Sequence, residues 1–289
     1  MFAITLTGGS CKSFYVCIHT DKAFNCPKSV IINYISILYS KIWNEALLKD
    51  NLDLQCYIIC DDFEGLISRE EVLQQPHLTQ LYSLLSNQTH INRRNLGQED
   101  VTIINIYDSP SIKQLLIDYR SQAKVLVLDS FYEEQEADYP IYTKLSLGGT
   151  FDHLHYGHRK LLTLALLCCN RELVIGITSS SMLSKKSHQS IIHSFIERKR
   201  SVEYFIKSLK PTLKTILIEL NDPFGPTITD PDIDAILVSS ETIKAAFKIN
   251  QIRRGKGFKL LDILVTYRTD SVILSSSFIR EKISSKFNK

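Results

Sequence analysis

The residues best suited to phosphate chemistry stand together near the middle of the chain. Gly148 and Gly149 follow an apolar run, and a His-x-Gly-His set made of His155, Gly157 and His158 comes after them. A leucine-rich helical pattern follows, so the order predicts a strand, a glycine turn and a helix. In that arrangement, backbone N–H groups and a helix N-terminus bind phosphate.

The side chains of this run add further donors. Residues three apart at the start of a helix point to one side, so His155 and His158 can both donate to a triphosphate. Thr150 is a small hydroxyl at the turn and can donate to an anionic substrate. Gly148 and Gly149 let the backbone approach a ligand, because no Cβ stands in the way.

Basic residues farther along the chain can bind phosphate as well. Lys185 and Lys186 follow a predicted strand, although a pair of lysines in a solvated loop is an alternative reading of the same residues. Arg198 lies in the first turn of an amphipathic helix, where the helix dipole disfavours a cation. A bound anion would remove that conflict, whereas the acidic Glu197 suits a helix start on its own.

Serines before another helix form a further candidate anion site. Ser275, Ser276 and Ser277 precede an amphipathic pattern over Phe278–Ile283, and Arg280 lies near its start. Serine is preferred at helix starts, so capping alone also explains the run. Capping and anion binding use the same hydroxyls and N–H groups, and Arg280 would add a positive charge over the outer phosphates.

These stretches resemble the nucleotidyltransferase superfamily with the His-x-Gly-His motif, and more narrowly its eukaryotic and archaeal type of phosphopantetheine adenylyltransferase. The likeness extends from about Lys144 to Ser285. The matching blocks, in the family's order, are Gly148-Gly149-Thr150-Phe151-Asp152-His153-Leu154-His155-Tyr156-Gly157-His158, Ser184-Lys185-Lys186, Phe195-Ile196-Glu197-Arg198, Asp222-Pro223-Phe224-Gly225-Pro226, Val238-Ser239-Ser240-Glu241-Thr242, Ile249-Asn250 and Leu274-Ser275-Ser276-Ser277-Phe278-Ile279-Arg280. With no Gly-x-x-x-x-Gly-Lys-(Ser/Thr) kinase loop in the sequence, the chain resembles the stand-alone fungal form.

The resemblance implies which residues form the site. Those with implied catalytic roles are His158, Lys186 and Arg198. Those implied to bind ATP or the second substrate are Gly148, Gly149, Thr150, Phe151, Asp152, His155, Gly157, Lys185, Ser239, Glu241, Thr242, Ser275, Ser276, Ser277 and Arg280. The stretch from Ser239 to Thr242 is expected to form an adenine and ribose wall, although Glu241 can equally be a plain acid at a helix start. His153 occupies the variable position of the motif and is given no site role, and no side chain is expected to bind a metal.

The reaction that the resemblance implies is transfer of AMP from ATP to 4′-phosphopantetheine. It gives dephospho-coenzyme A and pyrophosphate by in-line attack, without a covalent enzyme intermediate. Mg²⁺ is expected with ATP, because the triphosphate carries more charge than the basic side chains offset. Other enzymes of coenzyme A synthesis are candidate partners. The alternatives are a nucleotidyltransferase with another acceptor, such as nicotinamide mononucleotide, and a catalytically inactive nucleotide-binding scaffold.

Composition describes an ordinary globular protein. The chain has 289 residues, 44% of them hydrophobic and 22% charged, with a net charge of +3. This near balance gives no reason to expect a nucleic acid or a membrane as the main partner. Seven cysteines without a Cys-x-x-Cys pair favour reduced thiols in an intracellular protein. Without a secretory signal or an apolar stretch of ~18 residues, a cytoplasmic location is expected.

The alternation of strand-like and helix-like patterns predicts an α/β protein. We expect a Rossmann-like parallel sheet with helices on both faces, preceded by a second α/β domain. Residues 1–131 would form the N-terminal domain of unknown role, 132–143 a linker and 144–289 the adenylyltransferase domain. The predicted strands are Ser13–Ile18, Leu54–Cys60, Val101–Tyr107, Val125–Leu128, Lys144–Leu147, Leu173–Ile177, Thr215–Leu220, Ala235–Val238 and Val272–Leu274, and the predicted N-terminal helices are Val30–Leu48, Glu70–Leu85 and Ser111–Arg120.

Overall fold

A computed structural model describes residues 13–18, 28–48, 55–60, 81–84, 125–128, 140–184, 186, 189–266 and 276–287. The predictions that lie outside these residues are the phosphate-binding roles of Lys185 and Ser275, the strands at Val101–Tyr107 and Val272–Leu274, the helix at Ser111–Arg120 and most of the linker. Within the described part of the chain, no helix combines the length and the apolar character that crossing a membrane requires.

A small parallel sheet with the strand order β2-β1-β3 forms the first described part of the chain. Its elements are β1 (Ser13–Ile18), helix α1 (Lys28–Leu48), β2 (Gln55–Cys60) and β3 (Leu81–Leu84). Helix α1 lies between the first two strands in the sequence, as a crossover between parallel strands requires. The first two strands and the helix agree with the predicted elements to within two residues at each end.

Strand β3 differs from the prediction, which placed these residues at the end of a helix over Glu70–Leu85. Leu81 instead lies opposite Tyr15 of β1, and Leu84 lies opposite Ile18. The leucines of this segment fit the spacing of either element, and short apolar runs do not distinguish the two. Pairing with a strand distant in sequence decides the outcome, so the helix prediction is wrong over Leu81–Leu84.

The main sheet has six parallel strands in the order β4-β9-β8-β5-β6-β7. They are β4 (Val125–Val127), β5 (Tyr142–Gly149), β6 (Cys169–Thr178), β7 (Lys214–Leu220), β8 (Ala235–Ser239) and β9 (Asp262–Thr266). Four further helices accompany them: α2 (Tyr156–Cys168), α3 (Phe195–Leu209), α4 (Ile243–Gly255) and α5 (Ser276–Phe287). The predicted α/β class with a Rossmann-like parallel sheet is confirmed.

Both faces of this sheet are buried. In β8, Leu237 belongs to the hydrophobic cluster shared with α2 and α3, whereas Ile236 and Val238 belong to the cluster shared with α4. This alternation follows from the two-residue period of a strand. From β5 the chain moves to β6 and β7, then returns to β8 on the other side of β5. The strand order reverses there, and ligands of open parallel sheets bind at the carboxyl ends of the strands at such a point.

The residues before the predicted linker contribute to this sheet and to its core. In the outer strand β4, Val125 lies opposite Ile263 of β9. Helix α1 lies against α2, and its Trp43 belongs to the same buried cluster as Leu145 and Phe205. The division into domains at residues 131 and 144 stays a prediction. Described residues on both sides of it share one sheet and one core.

Paired charges hold the amino-terminal ends of the central strands together. Nζ of Lys144 lies 2.8 Å from Glu172 and 2.7 Å from Asp230, and Lys214 also pairs with Glu172. Hydrogen bonds to Asp230 and Glu172 raise the pKa of Lys144, and hydrogen bonds from Lys144 and Lys214 lower the pKa of Glu172. These contacts link β5, β6 and β7 at the end of the sheet opposite the glycine turn.

Candidate active site

The glycine turn lies at the carboxyl end of β5 and has an unusual backbone. The φ angle is 54° at Phe151, 55° at His153 and 25° at Leu154, in the left-handed region that residues other than glycine rarely occupy. Such strain persists where the surrounding contacts over-determine it, and it clusters at functional sites. A Cβ at Gly149 would lie 3.1 Å from the ring of Phe151, so the ring packs over the turn because residue 149 has no side chain.

Helix α2 begins directly after this turn and carries the motif histidines. The rings of His155 and His158 stack with 3.8 Å between their centroids and an interplanar angle of 24°. His155 is the N-cap residue, and its side chain does not cap the helix. Because the first N–H groups of a helix have no partner within the helix, an N-terminus without a side-chain cap suits an anion. Two imidazoles therefore lie together beside a helix end that could bind an anion.

His158 is neutral at physiological pH. Burial, together with the positive charges of Lys186 and Arg159, lowers its pKa from 6.5 to about 3. Packing against His155 and against the Phe151 ring, 5.2 Å away, fixes the imidazole. Its buried Nδ1 has no hydrogen-bond partner among the described residues. A neutral imidazole keeps one N–H group, so His158 is a hydrogen-bond donor rather than a cation.

Lys186 and Thr150, both predicted to contact phosphate, are joined by a hydrogen bond. Nζ of Lys186 donates to Oγ1 of Thr150 over 2.8 Å, and Thr178 at the end of β6 donates to the same oxygen over 3.3 Å. Burial lowers the pKa of Lys186, and the positive charges of Arg280 and Arg198 lower it further. An anion beside a lysine that lies among other cations would favour its charged form.

Arg198 is used to hold the backbone of the site. It is 1% exposed. Its three nitrogens donate to the carbonyl oxygens of Thr150, Thr178 and His193, over 2.8, 2.9 and 3.1 Å. Helix α3 is capped by its own residues, because Ser194 and Glu197 form a capping box. The first turn of α3 was expected to disfavour the positive charge of Arg198. The three carbonyl oxygens and the acidic Glu197 of the capping box offset this effect without a bound anion. The other two of its five N–H groups have no hydrogen-bond partner among the described residues, and the predicted triphosphate contact of Arg198 stays a prediction.

Asp152 connects three parts of the site through one fully buried carboxylate. Nη1 of Arg280 donates to it over 2.7 Å, the backbone N–H of His193 donates over 3.1 Å, and Nδ1 of His193 lies 3.2 Å away. Burial alone would raise the pKa of Asp152, but hydrogen bonds from His193 and Arg280 and the charge on His153 lower it below its ordinary value. Asp152 is therefore an anionic anchor between the glycine turn, α3 and α5.

The start of α5 supports the same anchor. Oγ of Ser276 donates to the backbone carbonyl of Asp152 over 3.1 Å. Nη2 of Arg280 donates to Oγ of Ser277 over 3.1 Å, and Arg280 itself is 1% exposed. The described part of the predicted serine run thus holds Asp152 and Arg280 in place. Its contact with phosphate stays a prediction.

The predicted adenine and ribose wall lies at the carboxyl end of β8, next to β5 in the sheet. The hydroxyls of Ser239 and Thr242 are 3.2 Å apart, and Thr242 also donates to the carbonyl of Ser239 over 3.1 Å. Glu241 is exposed between them. These residues lie across the switch point from the glycine turn, which is where a nucleotide base would extend. Their contact with adenine or ribose stays a prediction.

Two histidines that the sequence did not assign to the site lie beside Asp152. The rings of His153 and His193 have centroids 4.2 Å apart, and Nε2 of His153 lies 3.7 Å from the Asp152 carboxylate. A signal for His193 existed in the sequence. The Ser194-x-x-Glu197 capping box predicts a helix start, and His193 stands directly before it. No such signal exists for His153, because a strained turn brings it to the carboxylate.

The glycine turn, the helix end and the pair of imidazoles lie at the switch point of a parallel sheet. Such a place suits a phosphorylated ligand. The cytidylyltransferase-like family model matches residues 146–285. The chain is 37% identical over 145 residues to the phosphopantetheine adenylyltransferase of Methanopyrus kandleri. That match covers 49% of this chain and 91% of the relative. It is 31% identical over 203 residues to the phosphopantetheine adenylyltransferase of Saccharomyces cerevisiae. That match covers 69% of this chain and 67% of the relative.

A third relative is an uncharacterized protein of Schizosaccharomyces pombe, 35% identical over 150 residues. That match covers 48% of each of the two chains, so this chain spans about half the length of that relative. The match with the S. cerevisiae protein is longer than residues 144–289, so it extends into the N-terminal part. The chain belongs to the phosphopantetheine adenylyltransferase family, within the cytidylyltransferase-like nucleotidyltransferases.

Proposed function

We propose that the chain transfers the AMP group of ATP to 4′-phosphopantetheine and releases pyrophosphate. The observation that supports this best is the grouping of Lys186, Thr150, His155 and His158 at the carboxyl ends of β5 and β6. Donors and cations there exceed carboxylates, as a site for two phosphorylated substrates requires. The choice of 4′-phosphopantetheine as acceptor is supported by relatives that are phosphopantetheine adenylyltransferases. The choice of a phosphorylated substrate is supported by the side chains of the site.

The proposed reaction needs no general base and no covalent intermediate. The attacking group is the phosphate of phosphopantetheine, which is already ionised at pH 7 because the second pKa of a phosphate monoester is ~6. The protein therefore has to place two anions in line and offset the charge that develops at the α-phosphorus. A His158 side chain with a pKa of about 3 is a weak base but a competent N–H donor.

We assign roles to the chain's residues on this basis. His158 donates to the α-phosphate, where charge grows during attack, and His155 and the N-terminus of α2 bind neighbouring phosphate oxygens. Lys186 offsets the charge of the leaving pyrophosphate. Arg198 and Arg280 supply positive potential from buried positions, held by carbonyl oxygens and by Asp152 respectively.

Mg²⁺ is proposed to enter as part of the substrate MgATP. Among the described residues, Asp152, His153 and His193 offer ligand atoms that all lie within 4.8 Å of one another. This group does not suit Mg²⁺, which prefers oxygen ligands in octahedral geometry, and Arg280 already pairs with the carboxylate. Phosphate oxygens and water are therefore the expected ligands of the ion, and no protein side chain is assigned to it.

A pyrophosphate-release assay of the full chain with ATP and a set of acceptors tests the proposal. We expect turnover with 4′-phosphopantetheine and none with pantetheine, a matched control that lacks the attacking phosphate. Excess chelator should abolish turnover. Equal turnover with nicotinamide mononucleotide would favour the alternative acceptor. ATP binding without turnover of any acceptor would favour an inactive scaffold.

A further inference from the structure

Arg159 directly follows the His-x-Gly-His set and is buried where three parts of the molecule meet. Its Nε donates over 3.1 Å to the carbonyl of Leu154 in the strained turn, and its Nη1 donates over a longer 3.4 Å to the carbonyl of Cys56 in β2. Its Cζ lies 5.3 Å from the ring centroid of Tyr57 in β2 and 5.1 Å from that of Phe205 in α3. The rings of Tyr57 and Phe205 stack 5.3 Å apart.

One face of α2 contacts the N-terminal part through a repeated set of residues. The Tyr156 ring lies 5.7 Å from that of Trp43 in α1, and the hydroxyl of Thr163 hydrogen-bonds that of Tyr39 at 2.9 Å. Tyr156, Arg159 and Thr163 are three and four residues apart, which places them on one side of the helix. The motif histidines precede two of these residues by one position, so α2 has adjacent faces for the site and for the N-terminal part.

The bond from Arg159 to Leu154 bears on the geometry of the site. The turn that carries Phe151, Asp152 and His153 ends at Leu154, whose φ of 25° lies in the strained region. A strained backbone keeps its conformation only where several contacts fix it. Arg159 supplies one such contact, and its guanidinium is in turn fixed by the carbonyl of Cys56 and by aromatic rings of β2 and α3.

We propose that Arg159 is a positioning residue through which strand β2 of the N-terminal part fixes the glycine turn and the motif histidines for phosphate chemistry. The inference rests on the proposed function for its kinetic readout. It assigns β2 a share in the active site without any contact to substrate. A misplaced reacting group costs up to about 10² in rate, so loss of this support should appear in kcat.

The test compares three single variants and one double variant of the full chain by kinetics and thermal melting. Arg159→Lys keeps the charge but cannot reach both carbonyls as a rigid fork. Tyr39→Phe is the matched control, because it removes a buried hydrogen bond to α2 without touching Leu154. We expect Arg159→Lys to lower kcat about tenfold with KM for ATP changed less than about threefold, and Tyr39→Phe to keep kcat within about twofold. Tyr57→Leu should also lower kcat, and the double variant should be no slower than Arg159→Lys alone.

A readout that needs no acceptor separates this inference from the proposed function. In protein labelled with ¹⁵N at histidine, Arg159→Lys should shift the imidazole resonances of His155 and His158, whereas Tyr39→Phe should not. If the wild-type chain did not turn over phosphopantetheine, such a shift would still support the positioning role. A melting temperature that falls while kcat and the imidazole resonances stay unchanged would overturn it, because Arg159 would then be merely structural.

Discussion

The two ends of the main sheet place lysines in opposite electrostatic settings. At the amino-terminal end, Lys144 lies between two carboxylates, and its pKa is raised. At the carboxyl end, Lys186 donates to a neutral threonine among other cations, and its pKa is lowered. Lys144 belongs to β5, whereas Lys186 lies in the loop that follows β6. The difference shows which end balances its lysine with carboxylates and which end leaves its lysine short of negative charge.

The carboxyl end keeps this excess of positive charge although a cation without an anionic partner is costly. Arg198 and Arg280 are each 1% exposed, and burial lowers the pKa of Arg198. Carbonyl oxygens and the carboxylate of Asp152 hold them in place. Proteins depart from favourable local electrostatics mainly at functional sites, where a ligand completes the charge balance. The triphosphate of the proposed substrate would supply the missing negative charge.

The largest effect is expected from removing the anion that anchors the carboxyl end. Asp152→Asn leaves Arg280 buried without its carboxylate, and breaking a buried pair in this way typically costs about 3–5 kcal/mol. We expect the free energy of unfolding in urea to fall by that amount. The matched change at the other end is Glu172→Gln, which should cost about 1 kcal/mol or less, because its lysine partners are partly exposed.

Turnover distinguishes the same two variants. Asp152→Asn should lower kcat even where the protein remains folded, since it releases Arg280 and His193 together. Glu172→Gln should leave kcat within about twofold of wild type, because it lies at the opposite end of the sheet. Equal losses of stability in the two variants would contradict the claim that the buried Asp152–Arg280 pair stabilises the protein more than the Glu172 ion pairs do.

The next largest effect concerns the donor at the α-phosphate. His158→Ala should lower kcat by ~10²–10³, or about 2.7–4 kcal/mol, because one transition-state donor is lost. ATP binding should weaken much less. His153→Asn is the comparison within the motif, since asparagine tolerates a positive φ such as the 55° at this residue. Its kcat should fall less than about tenfold in a pyrophosphate-release assay. Similar rates for the two variants would contradict the roles assigned to the two histidines.

A lysine from each end provides the third test. Lys186→Met removes a charged donor, and hydrogen bonds to charged groups contribute about 1.5–3 kcal/mol, so kcat/KM for ATP should fall about 10- to 100-fold. Lys214→Met removes an exposed lysine that pairs with Glu172, and kcat/KM should stay within about twofold. Steady-state kinetics at a fixed salt concentration checks both. A large loss in Lys214→Met would mean that the amino-terminal end also takes part in binding.

Local sequence signals predicted much of the site's framework. The apolar run before Gly148, the glycines and the leucine pattern predicted β5, the turn and α2, and the spacing of His155 and His158 predicted a pair on one side of the helix. The structure brings the two rings together. These features depend on residues that are neighbours in sequence, so periodicity and turn chemistry are enough to find them.

Contacts between distant residues could not be predicted in this way. Asp152 and Arg280 are 128 positions apart, and no local pattern shows that they share a bond. Strand β9 was not predicted, and among the described strands β4 pairs with β9 alone. The three carbonyl partners of Arg198 belong to different elements. In each case the chain's packing in three dimensions sets the role of the residue.

The smallest expected effect is a pH dependence at the carboxyl end. A hydrogen bond to Asp152 raises the pKa of His193 above its ordinary value of 6.5, against the opposing effect of burial. The hydrogen bonds to Asp152 lower the pKa of that carboxyl, so it stays ionised and His193 is the member of the pair that titrates near neutral pH.

Because the pKa of His193 is higher in the folded state, its contribution to stability is fully present below the unfolded pKa of about 6.5. It is lost as the pH rises through the raised folded value. His193→Gln keeps a neutral donor but no charge, so it should be less stable than wild type at pH 5.5 and equal to it at pH 9. The side chain is 43% exposed, so the difference at low pH should be less than about 1 kcal/mol. Urea unfolding of both proteins at the two pH values measures it. A difference that grows with rising pH would show that the charged form of His193 does not stabilise the Asp152 anchor.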